Sequence, residues 1–596
     1  MKLSILCRVA FTSFAIAAHG VWLAASAQDA TAPAASEWPT YGRDYGQQRF
    51  SPLDQINTKT VQRLVPKWIY QTGTAATFST TPLVAEGVMY LTAPFSHVVA
   101  VDAKTGREIW RYEHKRGPGK ICCGPANRGA ALGYGKVYVA TVDARLVALD
   151  RKTGKPVWDI ALAEKMMDGT EDKQVMAADD PLHARNITGS TGAGAVIAPL
   201  VYDGKVFVGI TGVGYGLHLD SPRPGAPLGA VVGVSGRYGR PGFLAAYDAE
   251  TGKEVWKFET TQKGWEGQFR THTPDGVPLD RDIATEKANL ANYPDAWQYG
   301  GGSIWHTPSV DTETGMIYFG VGNPSPQAAG WTRPGDNLYT MSLIALESAT
   351  GKLVWHFQQV PHDMWGYDVA SPPTLFDVET DGKKIPVVGQ ASKLGWYYVH
   401  DRRTGALLFK SEAFVPQDNL FKRPTPQGVR ITPGPAGGSN WSPASFDAQR
   451  SVVYVAGSHV PMMYRTAELP AQDNKPAVPY VIIEPSNEPN WGTLTAIDLK
   501  NKGRIAWQTK MDQPMIGGVL ATAGGLVFTG EGGGDFSAFD AATGAKVWSF
   551  NCGAGVNAPP VSYEIDGKQY VAVAAGGSQI WGFRQGGAIV VFGLPD

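Results

Sequence analysis

The sequence predicts an all-β fold: an eight-bladed β-propeller with four-stranded antiparallel blades and long inserted loops on one face. Three observations lead there. One short pattern recurs from one end of the chain to the other. Its copies lie about 45 residues apart, or twice that, which is the size of a four-stranded propeller blade. The composition is turn-dense and aromatic-rich, with 71 Gly, 42 Pro and 18 Trp in 596 residues and only 18% charged residues, as in a β protein with many short strands. A hydrophobic content of 43% excludes a disordered chain. The net charge of −1 supplies no basic excess to neutralise a phosphate backbone, so nucleic acid is not an expected partner.

The first element is an address. Lys2 and Arg8 flank an apolar, small-residue run that reaches about Leu23, and Ala25-Ser26-Ala27 follows as a small-x-small cleavage signature. The expectation is a signal peptide, residues 1–27, removed to leave residues 28–596 as a single soluble domain in the periplasm. An uncleaved signal anchor is the alternative, and the shortness of the run and His19 within it weigh against that. No later stretch approaches about 20 uninterrupted apolar residues, so no membrane span is expected.

Cys7 departs with the signal, leaving Cys122, Cys123 and Cys552. Without a Cys-x-x-Cys-His sequence there is no covalent c-type haem. Cys122 and Cys123 are neighbours, and consecutive Cα atoms about 3.8 Å apart sit below the usual disulfide separation. In an oxidising compartment the pair reads as a strained vicinal disulfide, with two reduced buried thiols as the alternative. Cys552 reads as an unpaired core thiol.

The repeat is apolar-Asp-x-x-Thr-Gly-x-x-apolar-Trp. It occurs with small departures at 101–110, 150–158, 248–256, 347–355, 401–409, 498–507 and 540–548. Asp and Gly suit a tight turn between strands, and the ring at the end of the next strand can pack between neighbouring sheets. Trp68 adds one more ring in phase, giving Trp68, Trp110, Trp158, Trp256, Trp355, Phe409, Trp507 and Trp548. Between them run strand-like segments such as 135–141 and 204–210. The long intervals hold insertions at 165–195, 216–241, 262–300 and 411–440, which are expected to build the binding face. Two separate β-sandwich domains would not explain one motif running end to end.

Several further motifs carry a resemblance. Trp38-Pro39-Thr40-Tyr41-Gly42-Arg43-Asp44, Cys122-Cys123 with Asn127-Arg128-Gly129, and Gly300-Gly301-Gly302-Ser303-Ile304-Trp305 form one group. Gly322-Asn323-Pro324, Arg333-Pro334-Gly335-Asp336-Asn337 and Pro361-His362-Asp363-Met364-Trp365 form another. Together they resemble the exported quinoprotein alcohol dehydrogenases, which use pyrroloquinoline quinone (PQQ) in an eight-bladed propeller. The resemblance covers essentially the whole mature chain. It implies that Cys122-Cys123 and Trp305 stack on opposite faces of PQQ, that Arg128 pairs with a cofactor carboxylate, and that Lys393, in Ser392-Lys393-Leu394-Gly395, lies near the reactive quinone oxygens. It also implies a metal ion, calcium or a lanthanide, with Asn323 as an amide ligand.

Three departures bear on the chemistry. Where the family pattern places its catalytic Asp, this chain has Gly366. The family's metal-binding Glu falls on Gly214, or on Arg237 if the insertion is placed differently, and a cofactor-contacting Glu falls on Ser79. Asp368 survives two residues after the missing base, where lanthanide-using members carry an additional metal ligand, so it is the candidate both for catalytic base and, with Asn323, for metal ligand. Three explanations stay open: Asp368 serves as base or ligand, an insertion residue such as Asp220 substitutes, or dehydrogenase chemistry is lost. The resulting expectation is a periplasmic PQQ-dependent dehydrogenase that oxidises an alcohol or related small substrate and passes electrons to a separate cytochrome c. A propeller acting as a ligand- or protein-binding scaffold is the alternative.

Overall fold

The computed structural model describes residues 33–117, 124–163, 187–189, 193–212, 217–219, 231–233, 239–380, 382–471 and 477–595. The chain is all-β, and most of its strands fall into four-stranded antiparallel sheets of one design, one of them extended by Phe50–Ser51 in parallel. The second sheet shows the design: Ala131–Gly133, Lys136–Ala140, Arg145–Asp150 and Pro156–Ala161 lie side by side in chain order. Its first two strands are buried along their whole length, while the last is mostly exposed. That gradient explains the sequence, since inner strands are covered on both faces and read as continuous apolar runs. The outer strand alternates with solvent.

The same order repeats in sheets that begin at Leu83–Ala85, Leu200–Tyr202, Ser309–Asp311, Thr374–Thr380, Ser445–Asp447 and Leu520–Thr522. One more sheet joins the chain's two ends. Val561–Ile565, Lys568–Ala575 and Gly586–Gly593 take Val65–Ala76 as their fourth strand.

The recurring motif links each sheet to the next. Asp102 Oδ1 accepts from the Lys104 and Thr105 backbone N–H groups and from the Thr105 hydroxyl, closing the turn before Gly106. Asp150, Asp248 and Asp540 do the same in their copies. The motif glycine has a second task. Gly154 has φ +69°, and a Cβ there would lie 2.4 Å from the Trp110 ring of the preceding sheet. The indole fits only because that atom is missing. Trp110 Nε1 then donates to Arg151 O at 3.0 Å. Equivalent bonds run from Trp158, Trp256, Trp355 and Trp507, and Trp548 returns to Leu64 O near the start. At about 1 kcal/mol net each, such bonds chiefly fix the angle between sheets, and ring burial contributes more. Phe409 has no N–H and serves by packing alone, in a cluster with Phe446, Ile497 and Leu499.

The segment 38–51 runs along the innermost strands. It exchanges backbone bonds with Val84, Val310, Leu375, Phe446 and Ala523. Arg49, fully buried, donates to Pro560 O at 2.6 Å and Val519 O at 3.2 Å, with its guanidinium 5.3 Å from the Trp38 ring. Five donors on one planar group satisfy carbonyls from separate sheets at once.

Of the predicted insertions, 262–300 carries the short helix Ile283–Asn289, while 165–195 and 216–241 fall mostly outside the described residues. An extra sheet was not expected: Met462–Leu469 and Val478–Pro485 form a long hairpin flanked by Val429–Ile431 and Val231–Gly233. Among the described residues no helix is long and apolar enough to cross a membrane. Cys552 is a free thiol, half-buried against the core rather than within it, and burial raises its pKa to about 12.

Candidate active site

Topology gathers the candidate residues at one end of the sheets. In each of the seven repeated sheets the turn between third and fourth strands carries the Asp-Thr-Gly motif, with small departures. The opposite end holds the approach to the first strand and the loop between second and third. Arg128, Trp305 and Trp441 lie on approaches to first strands; Asn323 and Lys393 lie in second-to-third loops, and Asp368 in a connection between sheets.

Local sequence fixes each one. Asn127 Nδ2 donates to Ala140 O and its Oδ1 accepts from Gly129 N–H, so the Asn-Arg-Gly turn holds Arg128 inward, 8% exposed. The Arg128 guanidinium lies 4.9 Å from the Trp305 ring and 4.8 Å from Trp441. Trp305 follows Gly301 and Gly302, both at positive φ, which let the strand approach pass Thr260 closely. Lys393 stands on a turn closed by Gly395 N–H to Ser392 O, and its Nζ is 5.5 Å from the same Trp305 ring. One indole therefore carries a buried cation at two places.

Asp368 completes the cluster. Its Oδ2 lies 2.7 Å from Lys393 Nζ, and its Oδ1 accepts from the Asn323 backbone N–H. Lys393 also donates to Gly366 O at 3.3 Å. Upstream residues aim this segment. Arg333, fully buried, donates to the carbonyls of Pro326, Gln327 and Asp363. Asp363 accepts from the N–H groups of Trp365, Gly366 and Tyr367, and burial raises its pKa to about 6. The Arg333 and Asp363 motifs are thus supports for residues 366–368.

His306, next to Trp305, is neutral: burial, then the nearby Arg128 charge, pulls its pKa down to about 3. Its Nε2 accepts from Gly320 N–H at 2.9 Å, so the proton sits on Nδ1. Among the described residues that buried Nδ1 has no hydrogen-bond partner, nor do Ser439 Oγ or either amide atom of Asn557. Buried polar atoms left unpaired are costly, and they mark where a polar ligand is expected. Two buried cations beside a flat indole, with unpaired polar groups on neighbouring strand approaches, fit a planar polycarboxylate such as PQQ.

A hard cation fits less well. Calcium takes six to eight oxygen ligands with carboxylate charge among them. Here both Asp368 oxygens are engaged, and Asn323 Nδ2 donates to Pro324 O. Among the described residues no group of three His, Cys, Asp or Glu could hold a metal ion. Asn323 and Asp368, expected as ligands, meet through a backbone N–H instead.

The structure thus brings Arg128, Trp305, Asn323, Asp368 and Lys393 together. Cys122, Cys123, Gly214, Asp220 and Arg237 lie outside the described residues, and Ser79 is buried. Sequence reasoning missed Trp441 and Gln327. Trp441 had a signal, since Gly437-Gly438-Ser439-Asn440-Trp441 parallels the glycine run before Trp305.

Comparison with known proteins agrees with this geometry. Residues 38–206, 228–420 and 415–571 match the family described as the glucose/ethanol/alcohol dehydrogenase beta-propeller (PQQ) domain. Quinohemoprotein alcohol dehydrogenase of Comamonas testosteroni is 33% identical over 93% of this chain and 74% of that protein. Quinoprotein alcohol dehydrogenase PedH of Pseudomonas putida is 33% identical over 92% of this chain and 89% of its own. Among solved structures, the Comamonas enzyme superposes with a TM-score of 0.75 at 32% identity, covering 94% of this chain and 81% of that one. A europium-containing methanol dehydrogenase gives a TM-score of 0.74 at 28% identity, covering 94% and 98%. The buried cations of the site stand on a chain that belongs to the PQQ-dependent alcohol dehydrogenase family of β-propeller proteins.

Proposed function

We propose that this protein is a PQQ-dependent dehydrogenase that oxidises an alcohol and passes the electrons to a separate cytochrome c in the periplasm. The observation that carries this reading is the pair of buried cations, Arg128 and Lys393, on the one Trp305 ring. In the same reading the sheets form one closed ring of eight blades spanning 28–596 behind a cleaved signal peptide, and Cys122-Cys123 forms a disulfide wall opposite Trp305.

Bound PQQ would supply a two-electron acceptor. The chain's own residues bind, orient and move a proton. Arg128 anchors a carboxylate through charge-assisted bonds. Trp305 presents a flat apolar face. Asp368 is the carboxylate placed to take the substrate's hydroxyl proton, with Lys393 holding its orientation. Gly366 adds no acid or base. The test is reconstitution of purified protein with PQQ, followed by a dye-linked assay over a panel of primary and secondary alcohols. Turnover that depends on PQQ supports the reading, and PQQ binding without turnover of any alcohol rejects it.

A further inference from the structure

Resting on PQQ as the cofactor, we propose that the Lys393 ammonium ion holds the electrophilic position where relatives place a metal, and that this protein takes up its cofactor without a metal ion. The Asp368 carboxylate that would have to ligate a cation is already neutralised. One oxygen meets Lys393 at 2.7 Å and the other accepts from Asn323 N–H, while the residue is 7% exposed. A Cβ at Gly322 would lie 2.7 Å from that second oxygen, so the backbone crowds the space beside it. Asp363, the other carboxylate of this segment, is turned onto three backbone N–H groups. Position 366 offers no side chain. A divalent or trivalent ion sharing Asp368 would also stand next to the ammonium charge it displaces.

Lys393 is equipped for the role. It is 5% exposed, and its bonds to Asp368 and Gly366 O fix two of its three N–H groups. The remaining N–H has no acceptor among the described residues. A buried ammonium with one donor free is able to polarise a carbonyl oxygen as a cation does, with a hydrogen bond in place of a coordination bond. Its Nζ lies 5.5 Å from the Trp305 ring, the flat surface that would hold the proposed cofactor.

The experiment needs no substrate. Purified apo-protein is stripped with EDTA, its metal content is measured by plasma mass spectrometry, and PQQ is titrated in by quinone absorbance. Titrations run with EDTA, with calcium and with lanthanum. The expected result is saturable binding in EDTA, within about twofold of the affinity with either metal and with no stoichiometric metal in the complex. Lys393→Met should weaken binding by about tenfold or more, and Lys393→Arg should restore most of it. Binding only after metal addition, with one ion per chain, overturns the inference and leaves the cofactor reading intact. No PQQ binding by folded protein under any condition overturns the cofactor reading itself. Circular dichroism of each variant separates loss of the site from loss of the fold.

Discussion

The amide of Gln327 occupies the space into which a side chain at residue 366 would grow. A Cβ on Gly366 would lie 2.1 Å from Gln327 Nε2 and 2.8 Å from the Pro435 ring, at a φ of +85°. The missing acid is therefore a repacked position rather than a vacancy. Gly366→Asp is expected to destabilise the fold by about 1–3 kcal/mol through positive φ and the clash, without raising turnover. Adding Gln327→Ala should recover part of that loss. Urea midpoints of the single and double variants check it, and a single variant as stable as the parent would refute it.

Asp368 is expected to be indispensable to turnover. Asp368→Asn keeps the shape but removes the proton acceptor, and dye-linked activity should fall by at least about a hundredfold. The same change strands the buried Lys393 charge, at a cost of about 3–5 kcal/mol. Steady-state rates on PQQ-loaded protein, with stability measured in parallel, decide between loss of chemistry and loss of fold. Full activity in a folded variant would sink the assignment.

The cysteines give a test independent of the carboxylates. If Cys122 and Cys123 are bridged, the intact mass of unreduced protein is about 2 Da below that of the reduced chain. Cys552, with its pKa raised to about 12 by burial, should resist alkylation in the native state and be the one thiol labelled after denaturation without reductant. Two labelled thiols at 122 and 123 would remove the proposed wall opposite Trp305.

His306 sets part of the acid limit of stability. In the fold it refuses a proton until about pH 3, whereas the unfolded chain takes one near pH 6.5. The unfolded state thus binds more protons between those values, and stability falls as pH falls through that window. His306→Gln keeps an acceptor for Gly320 N–H without a titrating group. Its loss of stability between pH 7.5 and pH 5, read from denaturation midpoints, should be smaller than the parent's.

What the sequence revealed and what it hid follow one physical division. The Asp102 and Asp150 turns were legible because their bonds close within three residues, and the packing of Trp110 between sheets was legible because the motif repeats, though not its seat on Gly154. Arg128, Trp305 and Lys393 were singled out only through the resemblance of their motifs to a known family, and what the structure adds is their proximity. Trp441 has a glycine run of its own, but its place beside Arg128 was not legible, because two distant segments meet only when the sheets assemble. The same holds for Gln327 against Gly366, and for Val231–Gly233, which pairs with the distant Val478–Pro485. Nothing local to either strand names its partner.

The sheet shared by the two ends of the chain also bears on how the protein is made. Val65–Ala76 is synthesised long before its partner Gly586–Gly593. Arg49 likewise waits for Pro560, 511 residues downstream. Until Gly586–Gly593 emerges, the early strand presents an unpaired edge, which is a template for pairing with other chains. A stop anywhere before Gly586 would therefore yield a fragment bound for aggregation and proteolysis, not a smaller working protein. Quality control for this molecule is written into the strand that closes this sheet.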